Sequence, residues 1–395
     1  MSEPTTATRP NATQKLRVPF WDNARFVCVT LVVVGHGIQR LTYDSDNALI
    51  VYLFIYAFHM PAFAMISGYF SKATPPGTRQ MKKVLTDILM PYFIMETIWT
   101  LVQFLVEGKQ EFNPTTPSWT LWFLLALGIF RLILPYLALV RMPLLWALLF
   151  SVGVGYLGNI DSTFSLSRAI GILPFFVLGW QIRQWGIVDR WRAAERVTWY
   201  VRTGAVVVLA AWLAVVVVFI KPFREVDLRF WFFYDDSYSG LGEDAWWAGF
   251  VRLGLIVLAV VLSAAVFSLI PRRATWITTF GQATMYIYLL HSFVLYPIRE
   301  TGVIEGLHAS AMWLVSMILC GIGVSIALAS PVVRRIFRPL VEPKPHWLFK
   351  ELRDERPSRV DPTGSKRAKD VASPRSRPGY GPESVETRPQ PIPKP

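Results

Sequence analysis

Long apolar segments alternate with short polar connections over most of the chain. Because an α-helix needs about 20 predominantly apolar residues to cross a bilayer, segments of this length predict transmembrane helices. The pattern therefore predicts an all-α, polytopic membrane protein of about ten transmembrane helices. The fifth predicted span is the weakest, since it is short and rich in glycine. In chain order the spans are 25–41, 49–70, 84–106, 119–139, 143–157, 166–183, 201–220, 249–270, 276–297 and 311–330.

Composition and charge narrow the class of protein further. Hydrophobic residues make up 53% of the 395 residues and charged residues 17%, which is unlike an ordinary soluble domain. The net charge is +13, but the Lys and Arg residues lie mainly between apolar segments and towards the C-terminus, where membrane topology explains them. We therefore expect no nucleic-acid partner. Cys28 and Cys320 lie in apolar segments and indicate neither a disulfide nor a metal site.

Both ends of the chain are polar. Residues 1–19 lack the apolar core and cleavage site of a signal peptide and predict a cytoplasmic N-terminal segment. Residues 20–338 form the predicted transmembrane domain. Residues 339–395 combine frequent Pro with charged residues and no apolar periodicity, which is typical of a disordered cytoplasmic tail. Two roles stay open for this tail, contact with anionic lipid and simple solubility.

Basic residues predict the orientation, since Lys and Arg concentrate in cytoplasmic connections. With the N-terminus inside, the inner connections carry most of the basic residues and the outer connections most of the acidic ones. Both termini are then cytoplasmic, and a bacterial plasma membrane is the expected location. The inner set comprises Lys72, Arg79, Lys82, Lys83, Arg141, Arg190, Arg192, Arg196, Arg272 and Arg273, and the outer set Asp44, Asp46, Glu107, Glu111, Asp161, Asp235, Asp236, Glu243 and Asp244.

The first predicted span contains titratable side chains, which are costly inside a membrane helix and therefore indicate function. Arg25 and His36 are eleven residues apart, so an α-helix places them on one face about 16 Å apart. Gly35 and Gly37 flank His36 and leave room for a ligand. One end of this helix is suited to hold an anion and the other to transfer a proton. Arg25 has a second interpretation, a positive-inside anchor.

Further polar side chains lie within or beside the spans, namely His59, Glu96, Arg168 and His291. With the N-terminus inside, they fall between the membrane midplane and its outer edge, where they are able to meet His36 in one cavity. Each also has a structural interpretation. A proline two residues after His59 frees a backbone carbonyl that an imidazole can bind. Glu96 and His291 suit hydrogen bonds between helices, and Arg168 suits an ion pair with an acidic loop residue.

The connection at 221–248 combines aromatic with acidic residues. This mixture suits the faces and hydroxyls of a sugar, but it is also typical of an interfacial aromatic belt. Both interpretations stay open. The residues are Phe230, Trp231, Phe232, Phe233, Tyr234, Tyr238, Trp246 and Trp247 with Asp235, Asp236, Glu243 and Asp244.

Several motifs resemble those of the acyltransferase-3 family of integral membrane acyltransferases. The most specific is Trp21-Asp22-Asn23-Ala24-Arg25, followed after ten residues by His36. Later motifs are similar in particular to the fucose 4-O-acetylase-like branch of that family. They are Tyr56-Ala57-Phe58-His59-Met60-Pro61-Ala62-Phe63, Ile66-Ser67-Gly68-Tyr69-Phe70, Leu166-Ser167-Arg168, Leu173-Pro174-Phe175-Phe176-Val177-Leu178-Gly179 and Tyr286-Ile287-Tyr288-Leu289-Leu290-His291.

The resemblance implies an O-acyltransferase that moves an acyl group, usually acetyl, from cytoplasmic acyl-CoA to a hydroxyl of an extracytoplasmic carbohydrate or glycolipid. Acyl-CoA is then a co-substrate, and no permanently bound cofactor is expected. By matching position, Arg25 and His36 are the essential pair. Ser67 and Gly68 belong to the second motif, which we assign to the donor site.

A mechanism follows from the spacing on the first span. Arg25 is suited to pair with a CoA phosphate, while the pantetheine arm brings the thioester to His36. Two versions stay open, since His36 can remove the proton of the acceptor hydroxyl, or His36 or His59 can carry the acyl group transiently. The expected substrate-binding residues are Glu96, Arg168 and His291.

Two other classes of function compete with the enzyme. A transporter or flippase for a polar or lipid-linked compound also needs buried titratable residues. The sequence, however, indicates neither symmetry between its halves nor the discontinuous helices expected of such a carrier. A receptor or scaffold that uses the Pro-rich tail would leave the buried histidines without a role.

Overall fold

The computed structural model describes residues 17–108, 112–158, 160, 163–194, 198–300, 310–345 and 348–349. These residues form helices joined by turns, and none of them lies in a β-strand, which confirms the all-α class. In chain order the α-helices are α1 Pro19–Ile38, α2 Asp46–Tyr56, α3 His59–Tyr69, α4 Thr78–Val84, α5 Met90–Glu107, α6 Trp122–Leu137, α7 Pro143–Val154, α8 Leu166–Gln184, α9 Ile187–Ala193, α10 Thr198–Val218, α11 Ile220–Glu225, α12 Leu228–Trp231, α13 Ala248–Leu269, α14 Thr284–Glu300, α15 Ala311–Leu328 and α16 Pro331–Val341.

Six helical segments among the described residues are long and apolar enough to cross a membrane. Two shorter apolar helices, α6 and α7, accompany them, and each of the ten predicted spans falls on helical structure. The chain is therefore a polytopic membrane protein. The six segments are Asp46–Tyr69, Thr78–Glu107, Thr163–Gln184, Thr198–Val218, Ala248–Leu269 and Ala311–Leu328.

The second predicted span is broken, because a two-residue turn separates α2 from α3. Pro61 has no N–H to offer to the carbonyl one turn earlier. The Ser263 hydroxyl donates to the carbonyl of Phe58 at 3.5 Å, and Nδ1 of His59 donates to the carbonyl of Ile55 at 3.0 Å. The expectation that discontinuous helices are absent is therefore wrong for this span.

Two predicted boundaries also shift. Residues 276–283, at the start of the ninth predicted span, form 3-10 turns, so α14 begins only at Thr284. Helix α16 runs through Pro339 and extends the helical structure past the predicted start of the tail. Residues 1–16, most of the predicted tail, and Glu111, Asp161 and Arg196 of the orientation sets lie outside the described residues.

Helices α3 and α8 touch backbone to backbone. A Cβ atom added to Gly68 on α3 would lie 1.9 Å from the carbonyl oxygen of Phe176 on α8, and one added to Gly179 on α8 would lie 2.0 Å from that of Met65. Small residues permit such close crossings of membrane helices. The crossing fixes α3 against α8, and α3 in turn packs against α1, which carries Arg25 and His36.

Candidate functional site

The predicted histidines gather near the C-terminal end of α1. The imidazole of His36 lies beside that of His291 on α14, with 5.5 Å between the ring centroids. Tyr56 lies 6.5 Å from His36, and its ring contacts that of His59 with a centroid distance of 4.4 Å. The structure therefore places His36 and His291 side by side and leaves His59 behind Tyr56.

Backbone carbonyls orient the two fully buried histidines. Nδ1 of His291 donates to the carbonyls of Ile287 and Tyr288 at 3.0 and 2.8 Å, and Nδ1 of His59 donates to that of Ile55 at 3.0 Å. Because a carbonyl only accepts, Nδ1 carries a proton in both rings. Nε2 of His291 is buried and has no hydrogen-bond partner among the described residues.

His36 is the accessible member of this cluster. Its side chain is partly exposed, whereas His59 and His291 are 2% and 0% exposed. Nδ1 of His36 has no hydrogen-bond partner within the described part of the chain. Trp119 packs edge-on against the imidazole at 5.1 Å. His36 is therefore the most exposed of the three clustered histidines.

Glu96 lies behind this cluster and binds the connection between α5 and α6. One carboxylate oxygen accepts from the backbone N–H of Ser118 at 3.0 Å and the other from its hydroxyl at 2.5 Å. The side chain is buried, and the residue that follows Ser118 is Trp119, whose φ of 35° is unusual for a residue with a side chain. Glu96 therefore bonds to a connection and not to another helix, and its carboxylate holds the backbone next to Trp119, which packs on His36.

Arg168, at the start of α8, is held by charge and by aromatic faces. It forms an ion pair with Asp235, and its guanidinium lies 4.6 Å from the ring of Trp122 and 5.7 Å from that of Phe233. Its charge and that of Arg299 belong to the electrostatic surroundings of His36. Arg168 therefore borders the cluster, with one face committed to the aromatic connection 221–248.

That connection is partly buried and partly exposed. Tyr234 and Tyr238 are almost inaccessible, whereas Trp246 is 76% exposed. Burial raises the pKa of Tyr238 to about 12, so its hydroxyl stays protonated and donates to the carbonyl of Val152 at 2.9 Å. The connection reaches the histidine cluster through Phe233, whose ring lies 5.7 Å from that of Tyr56.

Arg252 on α13 was missed by sequence reasoning, although a lone Arg in an apolar span is the same signal that singled out Arg25. Its guanidinium is buried and donates to the carbonyls of Ser151 and Asp236 at 3.1 and 2.9 Å. It also stacks on Tyr238 at 4.7 Å. Arg252 therefore fastens the aromatic connection to α7 and α13.

The opposite end of α1 opens into a cavity of about 1230 Å³. Arg25 and Ser67 line it, and none of the described lining residues is acidic. The guanidinium of Arg25 lies 3.2 Å from a carboxylate oxygen of Asp22 and 4.5 Å from the centre of the Phe70 ring. The other basic residues that line the cavity are Lys72, Arg79, Lys83 and Arg131. Sequence reasoning also missed Arg131.

The two residues of the second motif have different surroundings. The Ser67 hydroxyl faces its own helix and donates to the carbonyl of Phe63 at 2.9 Å. Gly68 does not line the cavity, since it lies at the crossing with α8. Ser67 therefore borders the cavity, while Gly68 belongs to the helix packing beside it.

Aromatic side chains close the deep end of the cavity. Phe63, Phe123 and Tyr288 line it there, and the Tyr288 hydroxyl donates to the carbonyl of Thr120. The ring of Tyr288 lies 6.3 Å from that of His291. The basic cavity and the histidine cluster are thus neighbours, separated by this aromatic layer.

Asn23, inside the first motif, anchors the start of α1. Its Nδ2 donates to the carbonyls of Pro271 and Arg273 at 2.9 and 3.0 Å, and its Oδ1 accepts from the Thr278 hydroxyl at 2.7 Å. Asn23 is fully buried. It therefore fixes the helix that carries Arg25 and His36 against the connection before α14.

The sequence is similar to known proteins over most of its length. A family model described as an acyltransferase domain matches residues 18–330. Nodulation protein NolL of Mesorhizobium japonicum (strain LMG 29417 / CECT 9101 / MAFF 303099) is 31% identical over 102 residues, which cover 24% of this chain and 27% of NolL. No solved structure was found to match the chain. Because the family model covers most of the chain, including both ends of α1 and the histidine cluster, the chain belongs to the acyltransferase-3 family.

Proposed function

We propose that the protein transfers an acyl group, usually acetyl, from cytoplasmic acyl-CoA to a hydroxyl of an extracytoplasmic glycan or glycolipid. One observation carries this proposal. A single helix, α1, bears Arg25 in a basic cavity and His36 in a histidine cluster, about 16 Å apart along its axis. The helix therefore spans the distance between a phosphate-binding group and a proton-transfer group.

The charge of the cavity supports acyl-CoA as the donor. Arg25, Lys72, Arg79, Lys83 and Arg131 line one space without a described acidic residue, and the phosphates of CoA are strong partners for such side chains. The apolar side chains deeper in the cavity suit the pantetheine arm. In this proposal Phe63, Phe123 and Tyr288 must move aside to admit the thioester to His36.

The His36 and His291 pair supports a general-base step. The acceptor oxygen attacks the thioester carbonyl while a nitrogen of His36 takes the hydroxyl proton. The carbon–sulfur bond then breaks, and the proton passes to the thiolate of CoA. His291 Nε2, which has no partner among the described residues, is positioned to accept a hydrogen bond from His36 and hold it. In the alternative course a nitrogen of His36 attacks the thioester carbonyl, the carbon–sulfur bond breaks, and the CoA thiolate leaves with the proton of the imidazole. The acceptor hydroxyl then attacks the acyl-imidazole, the carbon–nitrogen bond breaks, and the imidazole takes the hydroxyl proton.

Aromatic rings around His36 support a sugar as the acceptor. Trp119 and Tyr56 flank the imidazole, and Phe233 extends the wall towards Arg168. Amphipathic faces of this kind suit a pyranose ring with its hydroxyls directed at the histidine. The motifs similar to the fucose 4-O-acetylase-like branch favour the same class. A bacterial plasma membrane with both termini in the cytoplasm is the setting that we propose.

One observation favours a second candidate, a transporter or flippase. The break between α2 and α3 lies beside a buried histidine, and broken helices at midplane sites are typical of transporters. Counterflow of a labelled compound in proteoliposomes without CoA would support this candidate.

The proposed function is tested with purified protein in lipid nanodiscs, acetyl-CoA labelled in its acetyl group, and an envelope glycan extract from the host. We expect His36→Ala to lose at least about 100-fold in label transfer, since it removes the general base. Thr30→Ala is the matched control on α1, because the Thr30 hydroxyl has no hydrogen-bond partner among the described residues. Undiminished transfer by folded His36→Ala protein contradicts the proposal.

A further inference from the structure

A second cavity, of about 260 Å³, lies beside the basic one at the same end of the molecule. It opens between the ends of α3, α8, α10 and α13, with α9 across it, and we call it the apolar slot. The residues that line it are Phe20, Trp21, Met65, Ile66, Tyr69, Gly179, Ile182, Ile187, Val188, Trp191, Val201, Ala264, Phe267 and Ser268.

The lining of the apolar slot suits hydrocarbon. Ser268 is the lining residue with an aliphatic hydroxyl, and that hydroxyl already donates to the carbonyl of Ala265 at 2.7 Å. The remaining lining residues are glycine or carry aliphatic, thioether or aromatic side chains, among which one phenol and two indoles bear a polar atom. A polar metabolite would lose its hydration in this slot and gain few partners, whereas the transfer of an acyl chain out of water is favourable.

Two arginines contact residues that line the slot. Arg183 donates to the carbonyl of Tyr69 at 3.3 Å, and Arg202 donates to that of Ser268 at 3.3 Å. Neither Arg183 nor Arg202 forms an ion pair with an acidic residue that the structure describes. Asp189 also lies near Tyr69, but a carboxylate oxygen of Asp189 is 3.7 Å from a guanidinium nitrogen of Arg192. Arg183 and Arg202 are therefore the charged side chains at the slot that have no acidic partner among the described residues.

We propose that the slot binds one anionic phospholipid, with an acyl chain inside it and the phosphate on Arg183 and Arg202. Basic pockets between membrane helices are suited to anionic headgroups, and guanidinium groups bind phosphate in a forked geometry. An apolar slot alone would accept a chain of any lipid. The two arginines are what select the charge of the headgroup.

The bound lipid touches the wall of the donor cavity. Ile66 lines both cavities. Trp21 of the slot packs on Tyr69 at 4.2 Å and on Phe70 at 5.3 Å, and Phe70 lies under the guanidinium of Arg25. A phospholipid in the slot therefore stabilises the wall of the donor cavity that positions Arg25. We expect the bound lipid to lower the KM for acyl-CoA. This consequence rests on the proposed function, while lipid binding does not.

Native mass spectrometry of delipidated protein, titrated with dioleoyl phosphatidylglycerol or dioleoyl phosphatidylcholine, tests the binding. We expect one tightly bound phosphatidylglycerol and a rise in Tm that neither phosphatidylcholine nor inorganic phosphate reproduces. Arg202→Gln should weaken the binding of phosphatidylglycerol about fivefold, because one contact between a positive side chain and the headgroup is lost. Arg190→Gln is the matched control, because Arg190 lies at the same end but donates to the carbonyl of Trp185, outside the slot.

A plugging variant keeps the test independent of the arginines. Ala264 lines the slot and is exposed to it, so Ala264→Phe should abolish tight binding while circular dichroism shows intact helices. Three results would overturn the assignment. They are equal affinity for the two lipids, a shift in Tm with inorganic phosphate alone, and undiminished phosphatidylglycerol binding by either Arg202→Gln or Ala264→Phe. Since no turnover is measured in these titrations, their failure is distinguishable from failure of the proposed function.

Discussion

At the residue scale, the clustered histidines differ in what holds their rings. His59 and His291 each use Nδ1 to bind a backbone carbonyl, which fixes the ring and leaves Nε2 for another partner. His36 has an unpartnered Nδ1 within the described chain and a partly exposed side chain. A fixed imidazole is suited to orient a neighbour, and an accessible one is suited to exchange a proton with a ligand.

Asparagine substitutions separate these two roles, because an asparagine amide can replace the Nδ1 donor but not Nε2. We expect His59→Asn to retain most of the acyl-transfer activity, since Tyr56 stands between His59 and His36. His291→Asn should lower kcat about 100-fold with the KM for acyl-CoA unchanged, as it removes the group beside His36. The measurement is the kcat and KM of both variants, and equal losses in the two would contradict the distinction.

Single residues show how far sequence reasoning reaches at this scale. His36 was identified because a titratable group in an apolar helix is costly wherever the helix packs. The partners of Glu96 and Gly68 could not be derived, since Ser118 and Phe176 are distant in sequence and reach them only through tertiary packing. The type of side chain indicates that a buried group needs a hydrogen-bond or packing partner, but the identity of that partner depends on the tertiary structure.

At the scale of elements, the crossing of α3 and α8 is set by two glycines. Gly68→Ala places a Cβ atom 1.9 Å from the carbonyl oxygen of Phe176, so the helices must separate. We expect a loss of about 1–3 kcal/mol in the free energy of unfolding, the usual cost of overpacking. Thermal unfolding in detergent checks this.

Gly204→Ala on α10 is the matched control for that substitution. Nothing in the structure lies within 4 Å of the Cβ atom it would add, so it should stabilise its helix by about 0.5–1 kcal/mol. A Tm for Gly68→Ala that equals or exceeds that of Gly204→Ala would refute the role of the close crossing.

The connection between α5 and α6 is the element that Glu96 holds. Glu96→Ala removes both acceptors from Ser118, and we expect faster hydrogen exchange over residues 112–121 and a lower kcat with unchanged KM for acyl-CoA. Glu96→Gln keeps one acceptor and should restore part of both properties. Thr97→Ala serves as the control, because the Thr97 hydroxyl binds only within α5, to the carbonyl of Phe93 at 2.8 Å. Unaltered exchange in Glu96→Ala would show that the carboxylate does not hold this connection.

Elements were predicted well where hydropathy alone determines them. All ten predicted spans fall on helical structure, because burial of apolar residues in lipid does not depend on a particular partner. Membrane-spanning length and hydropathy are found for six of the described helical segments, with α6 and α7 as shorter apolar helices, whereas α1 and α14 belong to neither group. The break before α3 was not predicted, although Pro61 signalled it. A proline permits a helix to continue or to break, and tertiary contacts such as that of Ser263 with the Phe58 carbonyl are formed by residues more than 200 positions apart in sequence.

At the scale of the whole molecule, the connections between helices gather at two opposite ends. Asn23 binds Arg273 at the end that holds the basic cavity. At the other end, Arg40 binds Glu300 at 3.2 Å and Arg224 binds Asp46 at 2.8 Å. The proposed reaction uses both ends, since the donor cavity belongs to the first and His36 faces the second.

The proposed direction of transfer requires the basic cavity to face the cytoplasm. Cysteine labelling in intact cells tests this orientation, in a protein that carries Cys28→Ala and Cys320→Ala. Because basic connections stay in the cytoplasm, we expect Lys72→Cys and Arg79→Cys to react with a membrane-impermeant maleimide only after lysis. Asp44→Cys and Asp244→Cys, at exposed positions of the opposite end, should react in intact cells. The reverse pattern would direct the basic cavity away from cytoplasmic acyl-CoA, and no rearrangement of the histidine cluster could then rescue the proposed direction of transfer.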